Sequence, residues 1–261
     1  MVILLTNDDG IYAPGLAALE RELEKLAEVY VVAPQFEQSG VGHSITYLSP
    51  LVCKEVFEGK QRRGWAVEGS PADCVKLGIF EFCPRRPDVV ISGINSGLNA
   101  GINVMYSGTV AAAIEGSFFG ITSIAVSLEW DDHADYPQAA AIARRVIEQV
   151  LASKGDAPQL FNLNIPTAAI HNPRRELHVV PMGLARWGDT YEKRIDPRGR
   201  PYFWATGDKP PASPAEGETD VLALKKGHLT LTPLHFDLTQ RGFLAPMREW
   251  KFDLDDSNAR P

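Results

Sequence analysis

The sequence has little that would staple, anchor or translocate it. Its 261 residues include three cysteines, Cys53, Cys74 and Cys83. An odd number without a CxxC spacing argues against a disulfide framework or a thiolate zinc site, and fits a reducing compartment. No apolar run approaches the roughly 20 residues that cross a bilayer. The N-terminus has no basic segment followed by a small-residue cleavage site, so a cytoplasmic location is expected. Internal repeats and low-complexity tracts are missing as well. Neither GxxxxGK[ST] nor GxGxxG occurs, which removes two common ways of cradling a nucleotide phosphate. The formal net charge of −7 argues against general affinity for nucleic acid or anionic membranes. A small anionic substrate stays open, because a local cation or helix N-terminus outweighs a distant net charge.

What is there reads as an ordinary globular protein, 44% hydrophobic and 23% charged, of one large domain or one domain with an appendage. The chain is organised around its first ten residues, MVILLTNDDG. Residues 2–5 are a continuous apolar run, and polar residues and Gly10 follow at once. That pattern is a buried strand opening into a loop. Asp8 and Asp9 are adjacent carboxylates, costly to bring together without a positive charge between them. A hard divalent cation supplies that charge.

The remaining pattern is α/β. Pro14 opens a helix in which Leu16, Leu19, Leu23 and Leu26 recur at helical spacing, and residues 29–33 form a second strand. Strand, helix and strand within about thirty residues make a right-handed βαβ unit. Residues 35–46 are a loop rich in glycine and hydroxyls. Residues 51–57 and 65–67 read as strands of a hairpin. Ser70-Pro71-Ala72-Asp73 opens a helix to about residue 82, with Ser70 as N-cap and Asp73 three residues later. Residues 88–91 form a strand emptying into SGINSGLNAG. A helix follows, capped by Ser107 or Thr109. Strands at 121–128 and 160–165 flank a helix at 137–151. The expectation is a Rossmann-like, three-layer fold with a mostly parallel sheet over residues 1–166. Residues 167–261 read as a hairpin-rich extension, with strands at 177–180, 202–206 and 228–232 and a turn at Asp196-Pro197-Arg198-Gly199. Such an extension serves oligomerisation or a lid. Residues 207–218 read as a flexible excursion, and 253–261 as a frayed end.

In an open parallel sheet, ligands bind at the carboxyl ends of the strands. Three loops leave that edge carrying oxygen: Asp8 and Asp9, then Ser39, then Asn95 with Asn99. Two carboxylates, a hydroxyl and an amide carbonyl suit Mg²⁺ or Mn²⁺ better than zinc. Ser107, Gly108 and Thr109 at a helix start offer backbone N–H groups and the positive end of a dipole, a seat for phosphate. Metal beside phosphate points to phosphoester hydrolysis with water as nucleophile. Singly, each residue has a plainer use: Asp8 or Asp9 as an Asx-turn, Ser39 as a turn residue, Asn95 as a left-handed loop residue, Ser107 or Thr109 as a cap, and His43 as a polar loop residue. The site reading rests on three loops agreeing about one edge.

The blocks VILLTNDDGIYAPGL, VVAPQFEQSGVGHSIT, EGSPADCVKLG, PDVVISGINSGLNAGINVMYSGTVAAAIEG and LTLTPLHFDLT, in this order, resemble the SurE family of stationary-phase survival proteins. The resemblance runs from Met1 to about Thr239. It implies a metal-dependent hydrolase of nucleoside 5′- and 3′-monophosphates, some members also cleaving short polyphosphate. It implies one divalent ion per subunit, Mg²⁺ or Mn²⁺, held at Asp8, Asp9, Ser39 and Asn95. Phosphate contacts would come from Asn99, Ser107, Gly108 and Thr109. Homodimers or homotetramers form in this family through a protruding hairpin and an exchanged C-terminal segment. Three departures stand out: Ser70 where Thr is common, Asn103 where an acid is frequent, and His43 at a variable position. No role is carried over to the last two.

The mechanism so implied has Asp8 and Asp9 as catalytic residues, with metal-bound water attacking in line. No residue stands out as the acid for the leaving group. Two other readings compete. A phosphatase with an aspartyl-phosphate intermediate needs two aspartates separated by one residue on a strand end, whereas here they are adjacent. A non-catalytic nucleotide-binding or assembly module would be expected to have lost Asp8, Asp9 or Asn95, and all three are present.

Overall fold

The computed structural model describes residues 1–184, 190–206 and 217–252. Most of the expected excursion at 207–218, and the whole terminus at 253–261, lie outside the described residues.

The elements follow in the order β1 (Val2–Thr6), α1 (Pro14–Leu23), β2 (Glu28–Pro34), β3 (Cys53–Glu58), β4 (Gln61–Val67), α2 (Pro71–Leu77), β5 (Val89–Ser96), α3 (Gly108–Phe118) and β6 (Thr122–Leu128). Then come α4 (Tyr136–Ser153), β7 (Leu160–Ile165), α5 (Thr167–Ile170), β8 (Leu177–Val179), β9 (Thr190–Ile195), β10 (Pro201–Thr206), α6 (Asp220–Lys225), β11 (Leu229–Leu234) and α7 (Arg241–Arg248). Nine strands form one sheet in the order β3-β4-β2-β1-β5-β6-β7-β11-β8, and β9 and β10 pair separately. From β4 to β7 every pairing is parallel. β3 pairs antiparallel with β4, and β11 antiparallel with β7. The fold is α/β, as expected. No helix among the described residues is long and apolar enough to cross a membrane.

Alternation along the strands builds the layers. Ile3 and Leu5 point into a core shared with Leu16, Leu19 and Leu23 of α1 and Ile142 and Ile147 of α4. Leu4 points the other way, into a core with Cys74 and Val75 of α2 and Ala112 of α3. All three β1 side chains are fully buried. At about 1.5–3 kcal/mol per buried large aliphatic side chain, that strand cannot leave the sheet without losing the centre of the fold.

Three differences from the sequence reading matter. The helix expected to reach residue 82 ends at Leu77 and widens into a π-helical turn, Gly78–Phe82. There Gly78 packs directly on Leu4, where a Cβ would come within 2.5 Å of its side chain. The strand expected to stop at 91 continues to Ser96, with a register shift between Ser92 and Asn95. Gly93 makes that continuation possible: its φ is +140°, and a Cβ there would lie 2.2 Å from the Val126 carbonyl oxygen. Finally, β11 and β8 extend the main sheet beyond β7, so part of the chain after residue 166 lengthens that sheet. Helices α6 and α7 had no counterpart in the sequence reading.

Candidate active site

Strand ends and one helix start deliver the site. After β1 the chain turns through Asn7, a fully buried residue. Its Nδ2 donates to the Gly10 carbonyl at 2.9 Å, and its Oδ1 accepts from the Gly10 N–H at 3.2 Å. The turn sets Asp8, 4% exposed, against the start of α3. The Thr109 hydroxyl donates to Asp8 Oδ1 at 2.5 Å. Asp9 turns to the end of β5, where its Oδ2 accepts from the Ser96 N–H at 3.0 Å.

Ser107 caps α3: its Oγ accepts from the Val110 N–H at 3.1 Å. The amides of Gly108 and Thr109 belong to the first turn and have no intrahelical acceptor. Gly108 touches Asp8 so closely that a Cβ would sit 2.8 Å from Asp8 Cβ and 3.0 Å from Oδ2. The positive end of a helix thus abuts a buried carboxylate.

Behind this contact lies a buried polar relay. Asn99 Nδ2 donates to Ser127 Oγ at 2.9 Å and to Thr109 Oγ1 at 3.3 Å. The Asn99 backbone is gripped from β7: its N–H donates to Asn164 Oδ1 at 2.8 Å, and its carbonyl accepts from Asn162 and Asn164 at 2.7 and 3.0 Å. Thr109 therefore accepts from Asn99 while it donates to Asp8.

Ser39 and Asn95 reach the same edge in different ways. The Gln38 N–H donates to the Asp8 carbonyl at 2.7 Å, bringing the loop after β2 to the Asp8–Gly10 turn. Farther along that loop, the Thr46 N–H and hydroxyl donate to Asp73, and Ser70 Oγ donates to the Ser44 carbonyl. Asp73 also completes the expected capping box with Ser70. The Ser39 hydroxyl donates to Glu37 at 2.6 Å. Asn95 Nδ2 donates to the Gly97 carbonyl at 2.7 Å, which leaves its Oδ1 as the atom to meet a cation.

The electrostatics at this edge are those of carboxylates without a counter-charge. Burial raises the Asp8 carboxyl above its ordinary range, outweighing the hydrogen bond from Thr109. Burial, then the charge of Asp8, pushes Asp9 up to about 6. Glu37 adds a third nearby negative charge to both. Among the described residues no Lys or Arg pairs with Asp8, Asp9 or Glu37. A buried and a half-buried carboxylate without a counter-charge are a donor set that a hard divalent cation would neutralise.

Other residues around this edge have no role in the sequence pattern. Glu37, two residues before Ser39, is a third carboxylate on the same loop. Asn162 and Asn164 were visible as polar interruptions of an apolar strand, the signal of a buried network. His43 lies with Met105, Ser107, Phe118, His235 and Phe236 along a cavity of about 310 Å³. Its Nε2 sits 2.6 Å from Glu115 Oε2, and its ring stacks on Phe118 at 5.1 Å.

Comparison with known proteins gives the family. The family model described as "Survival protein SurE" matches residues 3–189. A protein of Rhodopirellula baltica named "5'-nucleotidase SurE" is 59% identical over 251 residues, covering 96% of this chain and 98% of its own. A protein of the same name from Heliobacterium modesticaldum is 45% identical over 96% of this chain and 92% of its own. The crystal structure of the SurE protein from Aquifex aeolicus superposes with a TM-score of 0.83 at 35% identity, covering 95% of this chain and 98% of that one. The chain belongs to the SurE family.

Proposed function

We propose that this protein is a metal-dependent 5′-nucleotidase, hydrolysing nucleoside 5′- and 3′-monophosphates to nucleoside and phosphate. The observation that carries the reading is the contact of Asp8 with the first turn of α3: a carboxylate suited to a cation touches a helix start suited to a phosphate. The names of the relatives from Rhodopirellula baltica and Heliobacterium modesticaldum support the same activity.

Asp8, Asp9, Asn95 and Ser39 would hold one Mg²⁺ or Mn²⁺ per subunit. Bound there, the cation would neutralise phosphate charge and lower the pKa of adjacent water. The chain's own residues do the rest. The Gly108 amide, the Ser107 turn and the α3 dipole hold the phosphate oxygens. Asn99 keeps the Thr109 hydroxyl on Asp8, and Thr109 keeps Asp8 in place. Water attacks the phosphorus opposite the ester oxygen, Asp8 or Asp9 takes its proton, the phosphorus–oxygen ester bond breaks, and solvent water supplies the proton to the departing nucleoside oxygen. The cavity beside Ser107, walled by Phe118 and Phe236, receives the nucleoside.

Oligomerisation falls to residues 167–261. The β9–β10 hairpin is a separate two-stranded sheet exposing Tyr191, Phe203 and Trp204. α7 buries none of its residues and exposes Phe243, Leu244 and Met247. A lone hairpin and an uncovered apolar helix face are marginal unless another subunit covers them, so a homodimer or homotetramer is the proposed state. The three cysteines are free, in keeping with a reducing cytoplasm.

The experiment is hydrolysis of AMP by the Asp9→Asn variant, with Mg²⁺ or Mn²⁺ present. Rates should fall by orders of magnitude. Near wild-type turnover would take Asp9 out of the cation site.

A further inference from the structure

Three more ligand atoms converge at the β8 edge of the sheet. Glu176 precedes β8, His178 lies on it, and His228 precedes β11. The strands run parallel with Leu177 opposite Leu229, which makes Glu176 and His228 neighbours across the pair. Glu176 Oε2 lies 3.2 Å from His178 Nε2 and 3.8 Å from His228 Nδ1. One ligand atom from each residue falls within 4.8 Å of the other two. Tetrahedral zinc, with bonds of about 2.0–2.1 Å, holds its ligand atoms about 3.3–3.5 Å apart, between the two measured separations.

The support behind His178 is what marks a ligand. Its Nδ1 faces Glu218 Oε2 at 2.7 Å, and Glu218 Oε1 in turn accepts from Lys226 Nζ at 2.7 Å. A carboxylate behind a histidine fixes the proton on Nδ1 and leaves the Nε2 lone pair for a metal. The two imidazole rings stack at 4.2 Å with 13° between their planes. The two histidines are partly exposed and Glu176 is open to solvent, so an ion can enter. Closure requires one ring to turn about its Cβ–Cγ bond, and water fills the remaining positions.

We infer that Glu176, His178 and His228 form a second metal site, for a first-row divalent cation of the zinc class, with Glu218 orienting His178. Two imidazoles select zinc over magnesium, so this site differs in chemistry from the all-oxygen set at Asp8 and Asp9. It is also distant. β8 stands five strands from β1, about 24 Å at the usual 4.8 Å strand spacing. A cation there would clip the three-residue edge strand β8 to β11.

The test is equilibrium dialysis of the full chain against Zn²⁺ with Mg²⁺ in large excess, beside visible spectroscopy of the Co²⁺-loaded protein. Wild type should retain one Zn²⁺ more than the His178→Gln/His228→Gln double variant. Glu218→Gln should bind that ion about 10–100-fold more weakly. The intense Co²⁺ bands of a low-coordinate imidazole site should persist in Asp9→Asn and vanish in the double variant. Equal Zn²⁺ stoichiometry in wild type and the double variant overturns the inference. So does a Co²⁺ signal lost in Asp9→Asn but kept in the double variant. If the double variant misfolds, the two single glutamine variants, first matched to wild type in metal-free melting, decide by the same readouts.

Discussion

Replacing Thr109 by valine tests the relay that ties the phosphate seat to the cation site. Valine keeps the branched shape of a fully buried residue and deletes one hydroxyl. That hydroxyl donates to Asp8 Oδ1 at 2.5 Å, a bond to a charged group worth about 1.5–3 kcal/mol. Asn99 Nδ2 loses a 3.3 Å contact but keeps Ser127 Oγ at 2.9 Å, so the amide is not orphaned. The loss falls on Asp8, which surrenders its orienting partner and the strongest influence opposing its raised pKa. Partners that orient metal ligands are worth about 10–100-fold in metal affinity. Hydrolysis of AMP, followed against Mn²⁺ concentration, should therefore show the half-activating concentration rising by about that factor. The rate at saturating Mn²⁺ should change little, and Thr109→Ser should restore most of the lost affinity. The reasoning is refuted if the valine variant keeps the Mn²⁺ midpoint and instead raises the KM for AMP. The hydroxyl would then serve the phosphate and not the carboxylate.

Three further outcomes are expected. Asp9 titrates near 6 when folded, against 3.8 for an unperturbed carboxyl. The folded chain thus binds that proton more tightly than the unfolded one, and stability is lost as pH rises from about 4 through 6. Metal-free Asp9→Asn should therefore melt above wild type at about pH 8, and the gap should close by about pH 4; a pH-independent gap in melting curves contradicts the assignment. Gly108→Ala places a Cβ 2.8 Å from Asp8 Cβ, so metal-dependent activity should fall further than the melting temperature does. Gly93→Ala meets both the positive φ and the Val126 carbonyl at 2.2 Å. It should destabilise the chain by at least the ~1–3 kcal/mol typical of overpacking, read from denaturant midpoints.

The sequence was most legible where one periodicity dominated. The buried run at β1, the leucine stripe of α1 and the Ser70–Asp73 capping box each stated their local structure, because local chemistry decided it. Legibility failed where distant backbone set the outcome. Residues SGIN read as loop because of glycine, yet they continue β5: Gly93 lets the strand approach Val126, which no local pattern announces. Ser107 and Thr109 were equal candidates for the cap. The structure divides them, Ser107 capping α3 and Thr109 turning to Asp8, because only the fold brings β1 under that helix start. Asp8 and Asp9 were visible as a pair from the first ten residues. Their unequal settings, one under α3 and one at the end of β5, were not.

That inequality bears on how the site keeps its shape. Asp8 is held by a chain of groups that begins on β7: Asn162 and Asn164 fix the Asn99 backbone, Asn99 meets Thr109, and Thr109 meets Asp8. Every member is buried, so loss of the last link, Thr109 to Asp8, would leave a polar group without water to replace its partner, at about 1–3 kcal/mol. Asp9 rests on one backbone N–H and is less buried. The proposed cation site would therefore have a firmly held side continuous with the proposed phosphate seat and a less buried side formed by Asp9 and the Glu37–Ser39 loop. Substitutions at Asn162 or Asn164, three strands from β1 in the sheet, should then disturb phosphate hydrolysis, whereas exposed changes in the loop should act mainly on metal affinity.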